Sequence, residues 1–230
     1  VSYHRPHQPF DPPEAYWEMY RERDLPGPNV GDWAEEVYGE KVPENPNTMA
    51  WCADLPEWIE QRARAGYWGS ITHVDHQINR ILDYLGDIGE RSNTLIVYTS
   101  DHGEMLGDHH LWRKTYAYEG SARVPLLVRF PDDADYFTGQ TIGRPVGLED
   151  IVPTVLDYLD EPIPDTVEGR SLLDLVRDPE RPDWRAAYHG EHGPIYDEEN
   201  ACQYLVGDRY KFVWNPITDA ELLFDLLADP

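Results

Sequence analysis

Ser100-Asp101-His102-Gly103 directly follows an apolar, β-rich run at residues 94–99. In an open α/β sheet, ligands bind beyond the carboxyl ends of the strands. A carboxylate beside an imidazole puts an oxygen and a nitrogen donor on one short loop, a usable pair for a divalent metal. Gly103 lets the backbone turn sharply or approach a ligand closely. The plainer alternative is that Asp101 caps the following turn while His102 is packed and hydrogen-bonded, and spacing alone does not separate the two. Asp108, His109 and His110 follow within one short loop and could add ligands, even for zinc, but no H-E-x-x-H or C-x-x-C pattern supports that. They read more readily as supporting or exposed residues. Lys114 lies 13 residues after Asp101 in a chain with only three lysines. Its ammonium is a compact point charge suited to an anionic group. His4 and His7 sit in the proline-stiffened stretch HRPHQPFDPP, where an imidazole could donate a proton to a leaving group near neutral pH. Two loop histidines are also common as ordinary surface residues. There is no G-x-S-x-G elbow, no P-loop and no G-x-G-x-x-G, which disfavours a serine hydrolase and the nucleotide-binding motifs.

These residues need elements to hold them. Pro6, Pro9, Pro12 and Pro13 make residues 4–13 an extended loop. A short helix is expected over residues 14–23, then a long loop to about residue 50. Residues 55–65 read as a helix closed by Gly66. Ile71, Val74, Ile78, Ile81, Leu82, Leu85 and Ile88 recur at helical spacing and predict a second helix, ended by Gly89. Residues 94–99 and 124–130 read as strands buried on both faces, and the helix-then-strand order suggests a parallel sheet. Leu148, Ile151, Val152, Val155, Leu156 and Leu159 mark another helix. Residues 186–191, 201–206 and 210–214 read as short strands, the last two an antiparallel hairpin around Gly207-Asp208.

The chain has 230 residues, 44 acidic and 19 basic, for a net charge of -25. That balance argues against a nucleic-acid or anionic-membrane partner. No run of 18 or more apolar residues could span a membrane. Two cysteines, Cys52 and Cys202, make no disulfide framework.

Taken together, the segments resemble the sulfatase family of the alkaline phosphatase superfamily. The longest match is NTLIVYTSDHGEMLGDHHLWRKTYAYEGSARVPLLVRFP, which carries a strand, SDHGE-x-LG-x-H, W-x-K and E-x-x-x-R-VP-L. SYHRPHQPFDPP resembles the family's H-x-P-H-x-PF loop, YWGSITHVDHQINRIL the helix before the D-H-G strand, and LEDIVPTVLDYL the D-x-x-PT-x-L-D helix. RYKFVWNP and ELLFDLLADP look like the closing hairpin and the start of a last helix. The resemblance implies an α/β fold: an incomplete, mostly parallel, alkaline-phosphatase-like sheet flanked by helices over residues 1–170. A small antiparallel β subdomain with a helix would occupy residues 171–230.

The same resemblance implies roles. Asp101 and His102 match two ligands of a divalent metal, Ca²⁺ foremost, with Mn²⁺ or Mg²⁺ as alternatives. Lys114 matches the lysine that contacts the sulfate and the nucleophile. His7 matches the histidine near the leaving-group oxygen, with His4 a further substrate-binding residue. The substrate implied is an anionic sulfate ester, small molecule or saccharide. The family nucleophile is a formylglycine made in a C/S-x-P/A-x-R motif. Cys52 precedes Ala-Asp-Leu-Pro and Cys202 precedes Gln-Tyr-Leu-Val, so neither fits. The nucleophile motif and the first metal-binding Asp pair precede the H-x-P-H loop in the family, so the chain is expected to be the C-terminal portion of a longer protein. Two rivals stay open: a phosphonate monoester or phosphodiester hydrolase of the same superfamily, and a non-catalytic domain whose metal loop is only structural.

The acid-rich, lysine-poor composition also resembles proteins of salt-loving archaea, which implies a cytoplasmic home in such an organism. High salt screens the self-repulsion of so many like charges. A higher melting temperature in molar salt than in dilute buffer is therefore expected; equal stability in both would refute the adaptation.

Overall fold

The computed structural model describes residues 1–43, 50–136 and 139–228, so part of the expected 14–50 loop and the end of the expected last helix lie outside the described residues. The chain forms two compact units that interleave in sequence. The first holds Val1–Leu95, His102–Lys114 and Gly120–Pro125; the second holds Ile96–Asp101, Thr115–Glu119 and Leu126–Pro230.

In the first unit, α1 (Glu14–Trp17) and α2 (Asp32–Tyr38) are short, and α3 (Glu57–Asp87) runs for 31 residues. The expected break at Gly66 is absent: the two predicted helices are one. Glu57 and Glu60 lie in its first turn, where negative charge suits the helix dipole. Its end follows the Schellman pattern, with Gly89 at φ 77°, Gly89 N–H donating to the Gly86 carbonyl at 3.0 Å and Glu90 N–H to the Leu85 carbonyl at 2.8 Å. Gly66 and Gly69 serve packing instead of termination. A β-carbon on residue 66 would lie 2.2 Å from the Phe10 carbonyl oxygen, and one on residue 69 would lie 2.9 Å from that of Tyr16. The two glycines thus let the proline-stiffened segment lie directly on the helix. Phe10 meets Tyr67 edge-on at 5.7 Å, and the hydroxyls of Tyr20 and Thr72 share a hydrogen bond of 2.7 Å. The apolar stripe further along α3 stays partly open, with Ile71 42% and Ile88 50% exposed.

In the second unit, β1 (Ile96–Thr99) and β2 (Leu126–Arg129) pair antiparallel, Ile96 opposite Arg129 and Thr99 opposite Leu126. The parallel relation expected from helix–strand alternation does not hold for this pair. A parallel return needs a crossover, usually a helix, and the connecting segment 100–125 offers only a 3-10 turn at Asp108–His110 and the single turn α4 (Glu119–Ala122). Chain leaving β1 therefore enters β2 at the same end. Helices α5 (Ile151–Tyr158) and α6 (Leu173–Arg177) follow. Four antiparallel strands then form a meander in sequence order: β3 (Ala187–His192), β4 (Cys202–Gly207), β5 (Tyr210–Trp214) and β6 (Glu221–Asp225). The first three match the expected strands closely. The last replaces the start of a helix: Leu222 and Phe224 turn to one face, where Phe224 meets Tyr118 at 6.0 Å, while Leu223 is 68% exposed.

Asp150 knots this unit together. Its carboxylate is fully buried and accepts from both Nη atoms of Arg185 at 2.9 and 2.7 Å. It also accepts from the backbone N–H of Gly147 at 2.9 Å and of Arg170 at 2.8 Å. A buried charge is tolerable when every lone pair is matched in this way. One turn on, the Thr154 hydroxyl oxygen accepts from Leu172 N–H at 2.8 Å, drawing α6 against α5.

The glycines of α3 give a test with opposite signs. Gly86→Ala, with nothing within 4 Å of the new carbon, should stabilise the chain by roughly 0.5–1 kcal/mol. Gly66→Ala should destabilise it by about 1–3 kcal/mol despite the better helix propensity. Urea denaturation measures both, and a stabilised Gly66→Ala chain would contradict the packing.

Candidate active site

The site residues of the first unit come from two segments. Loop 4–11 is wound around Arg5, whose Nη1 donates to the carbonyls of His7 at 2.9 Å and Pro9 at 2.7 Å and whose other Nη ion-pairs with Asp11. Segment 102–114 is a compact loop with few repeating hydrogen bonds. It is tied down by Gly107 N–H to the Leu111 carbonyl at 2.8 Å, Ala53 N–H to the His110 carbonyl at 2.8 Å and Trp112 N–H to the Trp51 carbonyl at 2.9 Å. Trp112, Leu106 and Ala53 form the buried cluster beneath it.

The two segments meet at one contact. Lys114 Nζ lies 2.5 Å from His7 Nε2. His7 Nδ1 lies 2.8 Å from the Gln8 carbonyl, which can only accept, so Nδ1 carries the ring proton. Nε2 then has the lone pair and accepts from the lysine ammonium. His102 packs edge-on to His7 with ring centres 5.7 Å apart, and His4 lies 4.9 Å from His7 on another side. The loop thus brings His4, His7, His102 and Lys114 together. His102 repeats the same logic: its Nδ1 lies 2.7 Å from the Gly103 carbonyl, which places that ring's lone pair on Nε2.

That is the form in which imidazole ligates a metal. Asp101, directly bonded to His102 in the chain, adds an exposed carboxylate. By donor type, a carboxylate oxygen and an imidazole nitrogen are groups a divalent cation accepts, in a shell that needs further ligands. Among the described residues no group of three or more His, Cys, Asp or Glu is arranged to hold a metal. Gly103 is needed for close approach: a β-carbon there would lie 2.1 Å from the Gly120 carbonyl.

Asp108 and His109 act as struts, while His110 contributes its backbone carbonyl to Ala53 N–H. Asp108 accepts from Asn29 N–H at 2.9 Å and from Arg64 at 3.4 Å. His109 accepts from Gly31 N–H at 3.2 Å and its ring lies 4.6 Å from that of Trp33.

Sequence reasoning passed over Glu104, Arg113 and Gln8. Glu104 accepts from the backbone N–H of Arg113 and, at 3.4 Å, of Leu106. Burial pushes its carboxyl above the ordinary carboxylate range, while those two N–H groups and the charge of Lys114 pull it back. Glu104 follows Asp101 by three positions, the one signal that could have singled it out. Neither cysteine is a nucleophile candidate. Burial raises the Cys52 thiol to about 11, so it stays protonated at neutral pH. Burial also raises that of Cys202.

Comparison with known proteins places this α/β scaffold in a family. A profile of the sulfatase family matches residues 1–161, and one described as N-sulphoglucosamine sulphohydrolase, C-terminal, matches residues 107–230. An arylsulfatase of Clostridium perfringens (strain 13 / Type A) is 41% identical over 231 residues, covering 100% of this chain and 47% of that protein. A phosphonate monoester hydrolase from Silicibacter pomeroyi superposes with a TM-score of 0.83 at 28% identity, over 99% of this chain and 49% of its own. A protein solved with its substrate D-glucosamine-2-N,6-O-disulfate gives a TM-score of 0.63 at 30% identity, over 75% of this chain and 36% of its own. The chain belongs to the sulfatase family. It spans about half the length of the curated relatives it matches.

Proposed function

We propose that this chain supplies the anion-binding and proton-donating half of a site that hydrolyses sulfate esters. The 2.5 Å contact between Lys114 and His7 carries the reading. It places a fixed positive charge and a proton-accepting nitrogen side by side, where an ester bearing an anionic group and a leaving oxygen needs both. Lys114 has three N–H donors and uses one on His7 Nε2, so the others can meet the equatorial oxygens of the ester and the charge that grows on them in the transition state. The proton that Lys114 donates to His7 Nε2 can pass through that nitrogen to the departing alkoxide, leaving Lys114 neutral after the ester bond has broken, while Nδ1–H on the Gln8 carbonyl keeps the ring oriented. His4 extends the polar wall beside His7.

Asp101 and His102 would hold the divalent cation, Ca²⁺ by the family resemblance. When bound, it would neutralise ester oxygens and activate the attacking group. The nucleophile is not in these 230 residues, because no C/S-x-P/A-x-R motif surrounds Cys52 or Cys202. Sulfated saccharides are favoured as substrates by the glucosamine disulfate bound to one structural relative.

A second reading is phosphonate monoester hydrolysis, favoured by the superposition on the Silicibacter pomeroyi enzyme. The sulfate reading is preferred because the arylsulfatase is the nearer in sequence, 41% against 28% identity. The 230-residue chain alone should not turn over an aryl sulfate above a Lys114→Ala control. The protein at full length should do so, with Lys114→Ala lowering kcat/KM by roughly 10²–10³-fold, the usual effect of losing a donor to a developing charge. Paired assays on aryl sulfate and aryl phosphonate esters decide between the readings. A kcat/KM higher on the phosphonate would overturn the sulfate assignment, and activity unmoved by Lys114→Ala would overturn the site.

A further inference from the structure

Arg113 sits in the left-handed region at φ 75°, a conformation that persists in a non-glycine residue only where its surroundings over-determine it. Three sets of contacts do so. Its N–H donates to the Glu104 carboxylate, and its carbonyl accepts from Met105 N–H at 2.8 Å. Its guanidinium Nε and Nη2 both reach the Gln8 side-chain amide oxygen, at 3.1 and 3.2 Å, in the amide orientation that satisfies both groups. Gln8 follows His7 in the chain and Arg113 precedes Lys114. The guanidinium–amide contact therefore runs alongside the Lys114–His7 contact, one residue away on each segment.

The two contacts differ in what they can enforce. An ammonium on a four-carbon stem is a point charge with little directional preference and many rotamers. A planar guanidinium meeting a carbonyl oxygen through two N–H groups fixes both distance and orientation. Arg5 shapes loop 4–11 from within, through His7, Pro9 and Asp11, whereas Gln8 ties that loop to segment 102–114.

We propose that Gln8 and Arg113 are positioning residues, a latch that sets the separation between His7 Nε2 and Lys114 Nζ without touching the substrate. The role rests on the hydrolase reading above. It makes the two residues flanking the catalytic pair part of the machinery, acting through the neighbours they hold. Loss of the latch lets loop 4–11 drift by a fraction of an ångström to an ångström, a displacement worth on the order of 10²-fold in rate.

A double-mutant cycle on the protein at full length, assayed on an aryl sulfate, tests it. Gln8→Ala and Arg113→Ala should each lower kcat about 10- to 100-fold with little change in KM. The double variant should be no worse than the weaker single, because both remove one contact. Gln8→Glu, which keeps the acceptor and adds charge, should retain activity near wild type, whereas Arg113→Lys, which loses the fork, should resemble Arg113→Ala. Additive losses, or single variants within twofold of wild type, would overturn the latch. Histidine ¹⁵N correlation spectra at one fixed pH give a readout independent of turnover. The His7 Nε2 resonance should move in Gln8→Ala and Arg113→Ala and stay in Gln8→Glu; an unmoved resonance in the alanine variants would overturn the latch. A moved resonance in a protein that hydrolyses no ester would uphold the latch while removing the hydrolase reading.

Discussion

The backbone of Phe10 lies so close to α3 that residue 66 has room for nothing larger than a hydrogen, a β-carbon falling 2.2 Å from the Phe10 carbonyl. Much of the site geometry depends on that approach. It lays the proline-stiffened segment on the helix. Proline lowers the entropy that loop must lose, and Arg5 gathers its carbonyls. The close approach at Gly66 anchors one end of the segment whose His7 meets Lys114 across 107 residues of chain.

The histidine chemistry follows from equally local rules. In both His7 and His102, Nδ1 faces the carbonyl of the next residue, so the neighbouring peptide sets the tautomer and the lone pair falls on Nε2. In His7 that nitrogen accepts from a lysine. In the second unit the comparable local knot is Asp150, whose buried carboxylate holds Arg185 and two backbone N–H groups. Removing one side of such a pair typically costs about 3–5 kcal/mol because the other charge is left buried.

Several elements and candidate residues were legible in the sequence, the roles of the residues only through the family resemblance. Asp101, His102 and Lys114 stood out because they follow a strand or because lysine is scarce, and His7 because prolines surround it. The strands β3, β4 and β5 followed from short β-rich runs bounded by turn residues. What escaped had non-local causes. Gly66 looked like a helix stop because glycine usually is one there. Its actual job, admitting the Phe10 carbonyl, depends on a segment more than fifty residues away. The antiparallel β1–β2 pairing depends on where a 26-residue excursion returns, which no periodicity records. β6 falls where the family resemblance implies the start of a last helix; E-L-L-F-D fits either period over five residues, and the neighbouring strand β5 decides it. Arg113 and Gln8 escaped because their importance lies in a contact between two loops, each unremarkable by itself.

The central claim is that Lys114 and His7 together meet one anion. Calorimetric titration of inorganic sulfate into the full-length protein tests it most directly, with Lys114→Ala and His7→Ala alongside. Both variants should bind sulfate at least tenfold more weakly than wild type, about 1.4 kcal/mol each, with the double variant close to the weaker single. Sulfate affinity unchanged in either single variant would contradict a shared anion site.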